Sequence, residues 1–139
     1  MTEQTFTLSE QLVADTHKLG VFDCSHVLLH RNAIVPWIIL VPICTETEFL
    51  QLPTLLRDKL VAESAEIGEF IQAHFGSTKI NFAAIGNIVP QLHLHIVGRD
   101  PGDICWPAPI WGNLSELKTY TDLEIQSVVD GLKARCDLH

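Results

Sequence analysis

The chain has 139 residues, of which 47% are hydrophobic and 19% are charged, a composition that favours one folded domain and argues against a disordered chain. Nine basic residues stand against seventeen acidic ones, so the formal net charge is −8, and lysines and arginines form no cluster. Proteins that bind nucleic acid polymers need a basic surface, so we expect no such partner. An anionic ligand must then be bound by local hydrogen-bond donors.

The sequence also predicts a cytoplasmic protein without membrane association. The N-terminal residues lack the basic and apolar regions of a secretory signal. The longest apolar run, residues 33–44, contains two prolines and is too short to span a bilayer. The four cysteines are widely scattered without a C-x-x-C pair, so we expect thiols rather than disulfides or a zinc site.

The first predicted elements are one short helix and two strands. Thr7 and Glu10 have the spacing of a capping box, which predicts a helix that starts there and ends at Gly20. Residues 26–32 and 36–44 read as strands, and the short connection between them favours antiparallel pairing. The second of these strands is nearly all apolar, which predicts a central position in the sheet.

The middle of the chain predicts a long helix followed by two more strands. Between residues 53 and 75, apolar residues recur at about every fourth position, and Gly76 follows as a stop signal. Residues 79–86 and 91–98 then read as two strands with a short connection of the hairpin type.

The last part of the chain predicts an irregular segment with three prolines and then a helix. Thr121 and Glu124 have the spacing of a capping box, and the helix should run to about Cys136. Hairpins with helices between them indicate an α+β domain with an antiparallel sheet, which we expect to span residues 1–139 as a single unit.

The predicted strand at residues 91–98 carries the clearest functional signal. Its residues alternate between an apolar set and a polar set, and the polar set is Gln91, His93 and His95. Side chains of one set point to the same face of a strand, so the two imidazoles should lie side by side.

Three interpretations of this polar set follow from the residue types. A solvated sheet face is disfavoured, because such faces usually carry Thr, Lys, Glu or Arg. A metal site would use the two histidines with His26 or His30 of another strand as a further ligand. A catalytic site would use one imidazole as the reactive group, with polar neighbours that orient it and bind the substrate.

The strand resembles the signature of the histidine triad (HIT) family, His-φ-His-φ-His-φ-φ, in which φ is an apolar residue. Here the signature reads QLHLHIV over residues 91–97, so six of seven positions match and glutamine replaces the first histidine. A bacterial subgroup of HIT hydrolases is more similar still. It shares a PW-apolar-apolar-LVP strand, a GN-apolar-VPQLH segment and a WP-x-P-x-WG segment, and all three occur here. The resemblance in element order covers about residues 8–104, and a C-terminal loop and helix follow over residues 105–139.

The resemblance implies an α+β fold with an antiparallel sheet of about five strands, one long helix and two shorter helices, usually assembled as a homodimer. Family members hydrolyse or transfer nucleotidyl groups through a covalent nucleotidyl-histidine. We expect no cofactor and no metal, because the attacking group is an imidazole. By position in the motif, His93 is implied as the nucleophile and His95 as the contact to the phosphate and the leaving group.

Four further residues are expected to bind the substrate. Asn87 falls where family members often carry a phosphate-binding Gln, with a tight turn as the alternative. Gln91 can form hydrogen bonds but cannot transfer a proton, which implies reduced or redirected activity. Asn32 falls where the family contacts the ribose, with a turn as the alternative. Arg99 ends the strand and can reach a phosphate, with an ordinary exposed position as the favoured alternative.

The sequence therefore predicts a nucleotidyl hydrolase or transferase acting on the α-phosphate of a dinucleoside polyphosphate or a nucleoside phosphoramidate. A catalytically weak nucleotide sensor, suggested by Gln91, and an H-x-H metalloenzyme are the alternatives. Trp106 and Trp111 are expected to pack over the sheet edge or a dimer partner, or else to cover a bound base. The apolar positions of the helix at residues 53–75 offer one shared surface for the homodimer.

Overall fold

The computed structural model describes residues 6–139, and its helices and strands follow the predicted order with two additions, a strand after the first helix and a 3₁₀ helix. The elements are α1 (Glu10–Asp15), β1 (Thr16–Val21), β2 (Ser25–His30), β3 (Trp37–Pro42), a 3₁₀ helix (Phe49–Gln51), α2 (Thr54–Phe75), β4 (Lys79–Ala83), β5 (Leu94–Arg99) and α3 (Asp122–Arg135). None of the described helices has an apolar stretch of the length that a membrane span requires.

The five strands form one antiparallel sheet in the order β1-β2-β3-β5-β4. All six residues of β3 are buried, as expected for a central apolar strand. Its neighbour β5 is distant in the chain, and the register pairs Ile39 with His95 and Trp37 with Val97. This pairing places residues of β3 beside the histidines of the motif. The predicted fold class, with one long and two shorter helices, is confirmed.

The two faces of the sheet bury different residues. On one face, Leu94 and Ile96 of β5 belong to an apolar cluster that includes residues of α2 and α3. On the other face, Val97 lies in a second cluster with Leu12 of α1 and Ile110 of the segment before α3. Because side chains alternate along a strand, the histidine of β5 lies on this second face.

The predicted signals at the end of α2 and at the start of α3 are confirmed. Gly76 follows α2 with a φ of 76°, in the left-handed region that favours glycine, and ends the helix. Thr121 is the N-cap of α3, where its side chain accepts a hydrogen bond from the Glu124 N–H and the Glu124 side chain accepts one from the Thr121 N–H. At Gly98, α2 lies so close to β5 that an added Cβ would be only 2.7 Å from Ile71.

The prediction of a single helix from Thr7 to Gly20 is wrong. The helix α1 ends at Asp15, and the next six residues form β1, which pairs with β2 and buries Leu19 in the core. This tertiary pairing overrides a weak local helical signal. The expected capping box does not form either, because the N-cap residue is Ser9 and its side chain makes no capping hydrogen bond.

The connection between β4 and β5 is also longer than predicted. The antiparallel pairing of the two strands is confirmed, but β4 ends at Ala83 and β5 begins at Leu94. Residues 84–93 leave the sheet and form an extended loop instead of a tight hairpin. The first part of the motif, including His93, therefore lies in this loop directly before β5.

Candidate active site

The histidines of the motif lie side by side in a buried position. His93 comes directly before β5 and His95 is its second residue, and each is 5% exposed. Their ring centroids are 4.8 Å apart and their planes are nearly perpendicular, at 73°. Because both rings are held among buried neighbours, the partner of each ring nitrogen determines what the ring offers to a ligand.

The Nδ1 atom of His93 lies 2.7 Å from the main-chain carbonyl oxygen of Gln91. A carbonyl oxygen only accepts hydrogen bonds, so Nδ1 carries the proton and donates it. The neutral ring then has its lone pair on Nε2. An imidazole in this state can act as a nucleophile or as a base at Nε2.

His95 has the opposite arrangement. The indole Nε1–H of Trp37 donates to Nδ1 of His95 over 3.0 Å, and an indole N–H is a donor only. The proton of the neutral His95 ring must therefore be on Nε2. Burial, together with charge on the neighbouring His93 and His30, lowers the pKa of His95 from 6.5 to about 3. His95 is thus a neutral hydrogen-bond donor at physiological pH.

Trp37 is a site residue that the sequence did not assign to the site, and His30, which the sequence offered only as a possible metal ligand, lies beside it. The two rings stack with centroids 3.7 Å apart and planes 4° apart. His30 Nδ1 accepts the main-chain N–H of Asn32 at 3.1 Å, and burial lowers the pKa of His30. One signal in the sequence could have identified Trp37, because a buried tryptophan needs a hydrogen-bond acceptor for its indole N–H.

A cavity of about 370 Å³, which we call the aromatic cavity, opens at the two histidines. Its size falls within the range of small-molecule sites. Most of its wall is apolar or aromatic, with a few polar groups. Its lining residues are Gln11, Leu12, Asp15, His30, Trp37, Ile39, Ile85, Asn87, Ile88, Val89, His93, His95 and Trp111.

A second cavity of about 420 Å³, which we call the loop cavity, lies against the 3₁₀ helix. Its lining residues are Thr47, Glu48, Phe49, Leu50, Ala84, Gly86, Asn87, Pro90, Leu92 and His93. His93 and Asn87 line both cavities, so they lie at the boundary between them. Among residues 6–139, no lysine or arginine lines either cavity.

The structure brings Asn87 next to His93 at this boundary. Asn87 is exposed in the loop between β4 and β5, and within residues 6–139 its amide makes no hydrogen bond. An amide in this position can donate to a ligand oxygen without adding charge. Asn87, His93 and His95 therefore form the polar part of the candidate site.

Gln91 contributes to this arrangement through its main chain, whereas its side chain points elsewhere. Its amide oxygen accepts the main-chain N–H of Ser9 at 2.8 Å, and its amide nitrogen donates to the carbonyl of Thr7 at 2.8 Å. Gln91 lines neither the aromatic cavity nor the loop cavity.

Asn32 is buried and its side chain is engaged with the protein. Its Oδ1 accepts the main-chain N–H groups of Ile34 and Lys118 at 3.1 and 3.2 Å, and its Nδ2 donates to the carbonyl of Glu116 at 3.0 Å. Asn32 lines neither cavity. It joins the turn between β2 and β3 to the segment before α3.

The expectation that Arg99 is an exposed residue is wrong, since it is 1% exposed. Its Nε and Nη2 donate to the Asp103 carboxylate at 2.7 and 3.1 Å, Nη1 donates to Asn81 at 2.9 Å, and Nη2 also donates to the Ala108 carbonyl at 2.8 Å. Hydrogen bonding to Arg99 lowers the pKa of Asp103. A buried guanidinium needs a hydrogen-bond partner for nearly every N–H, and this network supplies them, so the side chain can be buried without losing its hydrogen bonds.

The Arg99 network fastens the proline-containing segment that carries both C-terminal tryptophans. Trp106 lies over Arg99, with 5.6 Å between the ring centroid and the guanidinium carbon. Trp111 continues from this segment to the aromatic cavity, where its ring contacts His95 edge-on at a centroid distance of 5.2 Å. Arg99 therefore supports one wall of the cavity from behind.

The metal interpretation requires at least one further ligand beside His93 and His95. Within the described residues, the only set of three or more potential ligand atoms within 4.8 Å of one another is Asp23, Asp137 and His139, which are exposed and belong to another part of the molecule. The geometry does not gather a third ligand at the motif. His30 instead stacks on Trp37, and the Nδ1 of His95 is occupied by the indole N–H.

Comparison with known proteins identifies relatives of the whole chain. The family model for the HIT domain matches residues 11–102. A histidine triad protein from Marinobacter aquaeolei VT8 is 41% identical, with a TM-score of 0.88 and coverage of 96% of this chain and 98% of that chain. One from Bradyrhizobium japonicum is 32% identical, with a TM-score of 0.88 and coverage of 95% and 98%.

More distant structures share the fold alone. The diadenosine triphosphate hydrolase of Plasmodium falciparum, solved with cyclomarin A, is 15% identical with a TM-score of 0.55, covering 93% of this chain and 88% of that chain. No curated protein matches the chain.

The low pKa of His95 predicts a specific loss of stability in acid. The folded chain protonates His95 only near pH 3, whereas the unfolded chain protonates it near the ordinary value of 6.5. Between these values the unfolded state binds more protons, so the free energy of unfolding falls as pH drops, by up to about 1.4 kcal/mol per pH unit. His95→Asn should remove this contribution. Urea unfolding at several values between pH 7 and pH 4 should give a shallower pH dependence for the variant.

His139→Asn is the control, since it replaces an exposed histidine and leaves His95 in place. It should retain the pH dependence of the wild type. An unchanged slope in His95→Asn would contradict the assignment of a neutral, buried His95.

Proposed function

The chain belongs to the histidine triad family, and we propose that it is a nucleotidyl hydrolase or transferase that forms a covalent nucleotidyl intermediate on His93. The observation that carries this proposal is the hydrogen bond from Nδ1 of His93 to the Gln91 carbonyl. It leaves the Nε2 lone pair free at the boundary of two cavities of ligand size.

The proposed reaction has two steps. In the first, Nε2 of His93 attacks the α-phosphorus, and the bond from phosphorus to the leaving group breaks as the new P–N bond forms. The leaving group departs with the electron pair of that bond and takes a proton from solvent. The ring acquires positive charge, and its Nδ1–H remains bonded to the Gln91 carbonyl, which stabilises that charge. In the second step, water attacks the same phosphorus, loses a proton to solvent, and releases a nucleoside monophosphate and the neutral imidazole. An acceptor alcohol or amine in place of water gives transfer instead of hydrolysis.

His95 and Asn87 supply hydrogen-bond donors for the negative charge that develops on the phosphoryl oxygens. Because the pKa of His95 is about 3, its Nε2–H donates from a neutral ring over the working pH range. Donors held in place before the reaction need no reorganisation in the transition state. Trp37 contributes by holding His95 in this tautomer.

The two cavities suggest how a substrate lies in the site. The aromatic cavity has the apolar and aromatic wall that suits a nucleobase. With the α-phosphorus at His93, the leaving group extends toward the loop cavity, which shares His93 and Asn87.

The charges around the site favour a substrate with one phosphate. Asp15 lines the aromatic cavity, Glu48 lines the loop cavity, and neither cavity has a lysine or arginine among residues 6–139. A polyphosphate chain would bring several negative charges without a positive partner, in a protein of net charge −8. These observations support a nucleoside phosphoramidate over a dinucleoside polyphosphate.

The His93→Ala variant should lose turnover of a nucleoside phosphoramidate by about 10³-fold or more, because it removes the covalent route. Nucleotide binding, measured by calorimetry, should stay within about tenfold, since most contacts of the base are retained. The control is His74→Ala, which removes an exposed imidazole on α2. Near-normal turnover by His93→Ala would contradict the mechanism.

Nucleotide binding without turnover by the wild type would favour the sensor, and loss of turnover with EDTA would favour the metalloenzyme.

Because Asp15 and Glu48 line the two cavities, we expect a preference of at least about tenfold in kcat/KM for a nucleoside phosphoramidate over a dinucleoside tetraphosphate with the same base. The preference should be larger at low salt, where repulsion between phosphates and the acidic protein is less screened. Initial rates at two ionic strengths measure both effects. A preference for the tetraphosphate would show that the lining carboxylates do not select the leaving group.

A homodimer is part of the proposal, because one edge of the sheet exposes apolar surface. The edge strand β4 exposes Phe82 at 49%, and α2 beside it exposes Val61 at 46%. Between them lies a groove of about 370 Å³ that includes Ala65, Gly68 and Ile80. An unpaired edge strand next to an apolar helix face is a surface that a second copy can cover.

Sedimentation at micromolar concentration should therefore give a dimer. Phe82→Lys should raise the dissociation constant by at least about tenfold, because it places a charge in the apolar groove. Leu123→Lys, at an exposed position on α3, is the matched control and should leave the dimer intact. A monomeric wild-type protein would refute the assembly.

A further inference from the structure

Gln91 connects the N-terminal segment to His93. Its amide forms two hydrogen bonds with main-chain groups of that segment, one to Thr7 and one from Ser9, each 2.8 Å long. Its own carbonyl accepts the Nδ1–H of His93 at 2.7 Å. One residue thus bonds the segment before α1 with its side chain and the imidazole of the motif with its main chain.

We propose that Gln91 is a positioning residue, whose amide is held by Thr7 and Ser9 so that its carbonyl stays aimed at Nδ1 of His93. We call the two hydrogen bonds of the Gln91 amide, to Thr7 and from Ser9, the clamp. The clamp fixes the tautomer of His93 in which the lone pair is on Nε2. The catalytic consequence rests on the proposed function, whereas the effect on the tautomer does not.

The sheet cannot fix this carbonyl, because Gln91 lies outside it. The ladder between β3 and β5 begins at the pair of Leu40 with Leu94, and the ladder between β4 and β5 begins at the pair of Ala83 with His95. Gln91 belongs to the loop over residues 84–93, whose main chain has no strand partner. The two side-chain hydrogen bonds therefore supply the restraint that a ladder would supply within a strand.

The segment that holds Gln91 is itself fixed at both ends. Phe6 stacks on His26 of β2, with a centroid distance of 5.3 Å and an interplanar angle of 13°. On the other side, the Ser9 carbonyl accepts the Val13 N–H and so starts α1. Leu8 packs against the apolar cluster on the same face of the sheet. The clamp is therefore attached to β2 and α1.

Glutamine suits this position better than the histidine of the family signature. An amide presents one acceptor and one donor at the same end, so it can pair with the Ser9 N–H and the Thr7 carbonyl together. An imidazole carries its two nitrogens on different sides of the ring and becomes donor-only when protonated. The glutamine thus keeps both hydrogen bonds at any pH at which the protein is folded.

The Ser9→Pro variant tests the clamp by removing one N–H. Ser9 has a φ of −52°, which proline adopts, and its side chain makes no capping hydrogen bond. Ser9→Ala is the matched control, since it keeps the N–H. Long-range ¹H–¹⁵N NMR reads the tautomer of His93 without any substrate. The wild type and Ser9→Ala should show His93 protonated at Nδ1 alone, and Ser9→Pro should show a mixture of tautomers.

Turnover of a nucleoside phosphoramidate should change in parallel. In Ser9→Pro, kcat should fall by about 10- to 100-fold, the range found when a hydrogen-bond partner that orients a metal-bound histidine is removed. KM should stay within about twofold, because the cavity walls are intact. A single Nδ1–H tautomer and a normal kcat in Ser9→Pro would overturn the proposal.

Gln91→Glu provides a second test in which the backbone is not altered. The carboxylate still accepts from Ser9 but loses the donor to Thr7 and places an oxygen against that carbonyl. Like Ser9→Pro, it should give a mixture of His93 tautomers and a lower kcat. If Ser9→Pro melts without a cooperative transition, Gln91→Glu becomes the test of the proposal. If the variants change the tautomer but the wild type turns over no nucleotide, the clamp stands and the proposed function fails.

Discussion

The candidate site depends on how Nδ1 of each of two neighbouring imidazoles is bonded. Nδ1 of His93 meets an acceptor, the Gln91 carbonyl, and Nδ1 of His95 meets a donor, the Trp37 indole. The outward Nε2 atoms are therefore opposite in function, one with a lone pair and the other with a proton. Two identical side chains, with ring centroids 4.8 Å apart, therefore present a lone pair and a hydrogen-bond donor. In the proposed reaction these are the nucleophile and the donor to the same ligand. No charged group is needed for either role, which suits a buried position.

Segments from both ends of the described chain support this pair of rings. Gln91 joins the loop before β5 to the segment before α1, and Asn32 joins the turn after β2 to the segment before α3. Arg99 and Asp103 fasten the loop that carries Trp111 to the edge of the aromatic cavity. The side chains of Gln91, Asn32 and Arg99 are hydrogen-bonded within the protein and line neither the aromatic cavity nor the loop cavity. Their expected contact with a substrate stays a prediction. Among residues 6–139, no lysine or arginine lines either cavity.

The sequence predicted what depends on local periodicity. The apolar run of β3 and the fourfold spacing of α2 each have one dominant structural solution, and both were observed. The alternation over residues 91–98 predicted the strand β5, but β5 begins only at Leu94, so His93 lies just before it. The sequence did not predict β1, because a strand of mixed composition is stabilised by its pairing with β2 rather than by its own residues. The role of Trp37 depends on a partner 58 residues away in the chain, and the role of Arg99 depends on how the loop that contains Ala108 folds. Such partners are set by strand register and loop geometry, which no local pattern contains.

The most direct test of the central claim is to detect the nucleotidyl adduct on His93. Protein mixed with a nucleoside phosphoramidate is denatured at high pH, where a phosphorus–imidazole bond survives, and is then digested and analysed by mass spectrometry. A covalent mechanism predicts a peptide that carries one nucleoside monophosphate on His93, loses it on brief acid treatment, and is absent from the His93→Ala variant. An adduct on another residue would contradict the mechanism. Inversion at a chiral phosphorus would also contradict it, because inversion indicates a single direct displacement by water.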